Sequence, residues 1–356
     1  MGLFNNMLKD SESLFLDTVA LDYDYIPKLV PYRETEQHTI AKCIKPLFQK
    51  RNARNLLIYG LPGVGKTVAA KHVLKELEQE TDEVIPIYIN CWTHNTSFKI
   101  VSEICNLLGL KFIQNKKTTE LFNIIKDKLN KIGVVFCFDE IDKLDDFDFL
   151  YFILESIYRS CIILVSNYKT YLNNLDNRIK SRLTGEFLEF KSYNEAQTVN
   201  ILKNRLKYAF VSNVWEDNAF NLVAEKTWLM QDIRSGLYLM RETGNCAEEQ
   251  SSQKITVDHV KSAIKKLDEF SVKDKADLVD ETKFILEQVK KHISIKIGDL
   301  FKIYGDKGGK LSYKSFQRRI DKLDKGKFIS VEKKLGYGGA TSIIKFKEKE
   351  KKLSEF

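Results

Sequence analysis

Between about Arg54 and Leu188, short and nearly unbroken apolar runs alternate with longer stretches in which apolar side chains return every third or fourth position. The runs are Asn55 to Tyr59, Ile85 to Asn90, Val134 to Asp139, Ile162 to Asn167 and Phe187 to Phe190. Runs this short and this apolar predict strands covered on both faces, and the helical intervals predict a mainly parallel α/β sheet with helices on either side. After Phe190 the strand pattern stops. Asn194 to Tyr208, Asp217 to Thr227, Ile233 to Glu249 and Val257 to Phe270 keep helical spacing, which predicts a small all-α bundle. From Glu281 the pattern changes again. Helices are expected near Lys283 to Lys291 and Ser312 to Leu323, followed by β-rich pieces at Phe328 to Lys333 and Thr341 to Phe346 around the Gly-rich turn Leu335 to Gly339. Helices followed by a glycine-turned hairpin describe a winged helix-turn-helix. Met1 to Leu21 mixes acidic and apolar residues and reads as an arm or short helix packed on the rest of the chain. The expected domains are 1–190, an α/β domain with its arm; 191–275, an α-helical domain; and 276–356, the winged helix.

A chain of 356 residues is long enough for two or three such domains. Charge sharpens the division. From Ser271 onward there are 22 Lys or Arg against 13 Asp or Glu, a net of +9, while the whole chain carries only +8. The basic excess therefore belongs to the last quarter, which favours a module that meets a polyanion, with a solvated lysine surface as the alternative. No run approaches the roughly 20 apolar residues of a membrane span, and Met1 to Asp10 lacks a signal-peptide layout, so a cytoplasmic protein is expected. The six cysteines are scattered without a Cys-x-x-Cys pair, which argues against a zinc site or a disulfide framework.

Candidate chemistry starts at Gly60-Leu61-Pro62-Gly63-Val64-Gly65-Lys66-Thr67, set directly between the first predicted strand and the helical stretch from Val68. This spacing is that of a phosphate-binding loop. The glycines let backbone N–H groups face phosphate, Lys66 reaches the terminal phosphates, and the Thr67 hydroxyl can ligate Mg²⁺. The strand Val134 to Asp139 ends in adjacent carboxylates: Asp139 suits the metal, and Glu140 suits the attacking water. Asn167, at the tip of the next strand, can orient that water or simply make a turn. By pattern alone Arg178, Arg182 and Arg234 read equally as phosphate-reaching cations and as members of surface charge pairs.

Together these segments resemble the AAA+ ATPases, and more narrowly the archaeal-type origin-recognition and cell-division-control replication initiators. Leu21 to Glu34, which includes Tyr25, Pro27, Tyr32 and Arg33, is similar to the family's N-terminal signature that cradles adenine. Ile89-Asn90-Cys91-Trp92 with Thr96 to Leu108 resembles the approach to an initiator-specific insertion. Leu175 to Leu183 and Tyr193 to Gln197 resemble the arginine-bearing turn and the start of the lid. The likeness runs from about residue 17 to residue 350. It implies a nucleotide site built from Tyr25, Pro27, Tyr32, Arg33, Gly60, Pro62, Gly63, Val64, Gly65, Lys66, Thr67, Val68 and Arg234. It also implies Thr67 and Asp139 on Mg²⁺, Glu140 on water, Asn167 and Arg234 as first and second sensors, and Arg178 or Arg182 acting on a neighbouring subunit's nucleotide. The lid motif Gln231-Asp232-Ile233-Arg234-Ser235 departs from the family pattern, which often has Gly first and a basic residue after the arginine.

The implied function is ATP binding with slow hydrolysis as a switch, on double-stranded origin DNA, with the replicative helicase and further copies or paralogues as partners. A winged helix would place Ser312 to Leu323 in the major groove. Phe316, Ile320 and Leu323 form its docking stripe, which leaves Lys314, Ser315 and Arg318 for DNA, with Arg319 on either side. Lys333, Lys334 and Tyr337 would follow the backbone from the wing. The resemblance adds Lys116 and Lys117 in the insertion. Competing readings keep the same ATPase core: a signalling NTPase whose winged helix binds protein, a clamp-loader-like motor, or a DNA-binding regulator holding ATP as a structural cofactor.

Overall fold

The computed structural model describes residues 13–110, 116–169, 171, 175–276, 280–292, 294–309, 311–325, 329–336 and 339–346, with side chains outside the description at 270–276, 280–283, 321–322, 325, 332–336 and 339–341. The chain divides into two compact units, residues 1–264 and 265–356.

In the first unit, β1 (Asn55–Gly60), β2 (Val84–Asn90), β3 (Gly133–Asp139), β4 (Ser160–Ser166) and β5 (Gly185–Phe190) form one sheet in the order β2-β3-β4-β1-β5. Every pairing is parallel. The apolar runs are continuous because alternate side chains enter different cores. Val134, Phe136 and Phe138 of β3 pack with α3 (Ser97–Leu107), α4 (Thr118–Leu129), α5 (Asp148–Ser156) and α6 (Asn177–Leu183). Val135 and Cys137 pack on the opposite side with α1 (Glu34–Ile44) and α2 (Lys66–Glu80). All six cysteines are buried.

Three further helices follow: α7 (Glu195–Ala209), α8 (Asp217–Met230) and α9 (Ile233–Glu249). Each start is written locally. Asn194 and Gln197 form a reciprocal capping box on α7, and the Asp232 carboxylate accepts from the Arg234 N–H to cap α9. The arm packs on this bundle: Phe15 lies 4.7 Å from Phe210, which in turn meets Trp215 edge-on at 5.3 Å. α10 (Val257–Ala276) comes next.

The second unit contains α11 (Asp280–Lys290), β6 (Ile295–Lys296), α12 (Ile297–Asp306), α13 (Tyr313–Lys325), β7 (Ile329–Gly336) and β8 (Gly339–Phe346), with antiparallel order β6-β8-β7. Three helices and a hairpin with a short third strand make the winged helix. Its core gathers Ile285, Val289, Leu300, Tyr304, Phe316, Ile320, Leu323, Ile329 and Ile344, so the expected stripe of α13 is the buried one. α12 and β6 go beyond the sequence pattern. β6 is too short to show a period, and α12 carries Gly298 and Gly305, each about 1 kcal/mol less favourable than Ala in a helix. Tertiary burial of Leu300 and Tyr304 holds it. Among the described residues no helix is long and apolar enough to cross a membrane.

Candidate functional site

The loop after β1 turns at Gly60, Gly63 and Gly65, and the last two have left-handed φ values of +75° and +90°. At Gly63 a side chain is excluded twice, because a Cβ would also collide with the Asp232 carboxylate at the start of α9. The Asp232 carboxylate therefore packs directly on the loop backbone, and Ile233 N donates to Gly63 O at 3.4 Å. Pro62 is exposed, Val64 is buried, and Val68 is half-buried in the first turn of α2.

Lys66 is 7% exposed. Its ammonium donates to Gly60 O and Leu61 O at 2.8 Å and to Asn167 Oδ1 at 3.0 Å. Burial lowers its pKa to about 8, with Asp139 opposing and Arg234 adding to the fall. Asp139, 2% exposed, accepts three hydrogen bonds: Oδ2 from Thr67 Oγ1 at 2.6 Å and from the Tyr88 hydroxyl at 2.9 Å, and Oδ1 from Glu140 N at 2.8 Å. Glu140 sits in the left-handed region at φ +54°, immediately after β3. Burial first, then the neighbouring Asp139 and Asp142 charges, raise its pKa.

A hydroxyl and a carboxylate 2.6 Å apart at the mouth of a phosphate loop are hard oxygen donors of the kind Mg²⁺ takes with phosphate. The residues present fit the metal, Asn167 faces Lys66, and Glu140 stands one residue beyond the metal-competent carboxylate. The arrangement can hold a nucleoside triphosphate and activate water against it.

The cations that pattern left open have carboxylate partners. Arg234, with half its side chain exposed, forks onto Asp232 at 3.1 and 3.2 Å, yet its charge still reaches Lys66 and Glu140. Arg178 forks onto Asp176 and Arg182 reaches Glu155 at 3.7 Å, while both guanidinium groups lie within 6 Å of the Tyr151 ring. Both arginines are exposed, and neither belongs to the loop constellation.

Arg33 is different. It is 4% exposed, and its guanidinium donates to Val64 O at 2.9 and 3.1 Å, to Lys191 O, to the Tyr193 hydroxyl at 3.0 Å and to Glu36 at 2.7 Å. It also lies 4.1 Å over the Tyr193 ring. Arg33 thus supports the underside of the loop and ties it to the connection between β5 and α7. Tyr32, at φ +65°, accepts from Asn200 of α7 through its hydroxyl at 2.7 Å. Tyr25 stacks under Arg205 at 4.7 Å, and Pro27 is half-buried nearby in sequence. Tyr88 on Asp139 was missed from sequence. A strand tyrosine gives no motif, and only the register that pairs Tyr88 with Cys137 brings it alongside.

In the second unit Lys314 and Arg318 are exposed on α13, Ser315 and Arg319 are half-buried, and Lys333 and Lys334 lie on β7 opposite Ser342 and Thr341. Tyr337 lies outside the described residues, as do the side chains of Lys333 and Lys334. Lys116 is half-buried and Lys117 exposed at the start of α4.

Comparison with known proteins bears on the family and the fold. Residues 49–170 match the AAA domain family, and residues 199–265 match the Cdc6 AAA+ ATPase-type lid domain. An ORC1-type DNA replication protein of Methanocorpusculum labreanum is 32% identical over 288 residues, 74% of this chain and 68% of that protein. The ORC1-type DNA replication protein 1 of Sulfolobus acidocaldarius is 30% identical over 319 residues, 84% of this chain and 80% of that one. Among solved structures, the Aeropyrum pernix ORC1 protein in complex with DNA shares the fold with a TM-score of 0.72 at 24% identity over 95% of each chain. Sheet, phosphate loop and lid define the class: an AAA+ nucleotide-binding protein. Within that class, the chain belongs to the family of ORC1-type DNA replication proteins.

Proposed function

We propose that this chain is an ATP-dependent replication initiator that binds duplex origin DNA, helps recruit or load the replicative helicase, and uses slow ATP hydrolysis as a switch. The observation that carries the nucleotide half is the constellation Lys66, Thr67, Asp139, Glu140 and Asn167, faced by Arg234 from the lid. In this reading Lys66 exchanges its carbonyl and amide acceptors for phosphate oxygens. Thr67 and Asp139 would hold Mg²⁺, which would neutralise charge developing on the transferred phosphoryl group. Glu140 accepts the proton of the attacking water, and burial has already raised its affinity for one. Asn167 orients that water, and Arg234 leaves Asp232 to meet the terminal phosphate. Arg178 or Arg182, exposed on α6, serves a neighbouring copy's nucleotide.

The DNA half rests on family membership, on the basic last quarter, and on α13, which buries Phe316, Ile320 and Leu323 and exposes Lys314 and Arg318. Lys333, Lys334 and Tyr337 of the wing, and Lys116 and Lys117, are the further contacts. A protein of this fold has been solved in complex with DNA. The three working parts are 1–190, 191–275 and 276–356.

Two measurements on the full chain test this reading. Duplex binding is expected to be tight and salt-sensitive, with ATP turnover below the ~1 s⁻¹ floor of ordinary enzymes. Glu140→Gln is expected to keep ATP binding and lose hydrolysis. Many ATP per second with translocation would make it a motor, and absence of duplex binding would favour the signalling NTPase; either result overturns the initiator reading.

A further inference from the structure

Asp139 shares its Oδ2 between two hydroxyls, and only one of them belongs to the phosphate loop. The other is Tyr88 of β2. The β2–β3 register pairs Tyr88 with Cys137, and since side chains alternate along a strand, Asp139 lies on the same face as Cys137 and therefore as Tyr88. α2 covers that face. Thr67 and Lys71 are one helical turn apart on it, so both point at the strands. Thr67 donates to Asp139, and the Lys71 ammonium lies 4.7 Å over the Tyr88 ring. The four side chains form a series of contacts, Thr67 to Asp139 to Tyr88 to Lys71, between the first turns of α2 and the carboxyl ends of two strands. Burial and the Asp139 charge push the Tyr88 hydroxyl pKa up, so it remains a donor.

We propose that Tyr88 is a positioning residue for the metal site: its hydroxyl fixes the Asp139 carboxylate so that the remaining lone pair of Oδ1 faces the Mg²⁺ of the bound nucleotide. This rests on the nucleotide reading above. With Oδ1 fixed by Glu140 N and Oδ2 by Thr67 and Tyr88, the carboxylate cannot rotate without losing a hydrogen bond. Removing the tyrosine hydroxyl takes away one of the three bonds that fix the carboxylate and leaves Lys66 and its partners in place. Partners of metal ligands typically change metal affinity or activity by about 10- to 100-fold.

The test is Tyr88→Phe, which keeps the ring under Lys71. Binding of a fluorescent N-methylanthraniloyl-ATP is followed while Mg²⁺ is titrated, alongside binding in EDTA and melting without nucleotide. We expect the Mg²⁺ midpoint to rise about tenfold, while metal-free affinity stays within about twofold of the parent and the melting temperature is unchanged. In an Asp139→Asn background, adding Tyr88→Phe should change the Mg²⁺ midpoint no further, because Tyr88 acts through Asp139. An unchanged midpoint overturns the proposal. So does a metal-free affinity that falls in step with it, since Tyr88 would then support the loop as a whole. If the parent binds nucleotide without any Mg²⁺ dependence, the metal reading itself falls, a result distinct from an idle Tyr88.

Discussion

The Lys66 ammonium is held by two carbonyls and an amide in a site that is nearly closed to water, and burial brings its pKa to about 8. Bound phosphate stabilises the protonated form, so the pKa rises on binding. Affinity should then be level below about pH 8 and fall as pH rises through it. With a free-state value of about 8, the neutral form occupies about one site in eleven at pH 7 and about ten in eleven at pH 9. The expected loss of ATP affinity between those pH values is therefore about tenfold, roughly 1.4 kcal/mol. Binding at pH 9 should take up about 0.9 proton per site, which calorimetry reads from the dependence of the observed heat on the buffer's ionisation enthalpy. Asn167→Ala provides a second check. It removes an acceptor from the charged amine, so the midpoint should move to lower pH. Flat affinity from pH 7 to 9 with no proton uptake would refute the reasoning, because Lys66 would then be fully charged before phosphate arrives.

Three further outcomes are expected. Arg33→Met should cost about 3–5 kcal/mol in chemical denaturation, the scale for breaking a buried ion pair, and should weaken ATP binding although Arg33 faces the underside of the loop. Stability close to the parent's would deny the clamp. Gln231, which closes α8 at φ +54°, occupies a left-handed position costing about 1–2 kcal/mol for a non-glycine residue. After allowing for glycine's greater freedom when unfolded, Gln231→Gly should raise stability by about 0.5–1 kcal/mol, and a loss would show that the Gln side chain matters more than its backbone. Arg318→Ala should weaken duplex binding and lower the slope of affinity against salt by about one; if neither changes, the DNA face lies elsewhere than α13.

The central strands were legible because both of their faces are covered. Val134 to Phe138 reads as an unbroken apolar run only when both sides of β3 are buried, and both are. The helix starts were legible where a side chain caps its own backbone, as Asn194 and Asp232 do. α12 was not, since its glycines contradict its state locally and its core partners lie on α11 and α13. The departure at Gln231 was visible as a missing glycine, but its meaning, a left-handed backbone at the end of α8, belongs to the fold.

The site divides along the same line. Gly60 to Thr67 is contiguous, so spacing alone carries it; Asp139 and Glu140 were legible because a strand that ends in carboxylates breaks its own pattern. Arg33 was named only through the family resemblance, and Tyr88 breaks no pattern at all. An arginine ahead of a helix and a tyrosine in a strand are ordinary until Val64 O, 31 residues on, and Asp139, 51 residues on, come within hydrogen-bond distance. The same limit left Arg178 and Arg234 undecided, because a guanidinium two residues from a carboxylate reads equally as a surface pair and as a reserve. Arg234 is distinguished by what its pair adjoins: Asp232 also abuts Gly63, so the carboxylate that holds the arginine touches the loop that would bind phosphate. A phosphate that drew Arg234 from Asp232 would therefore act on the junction between loop and lid.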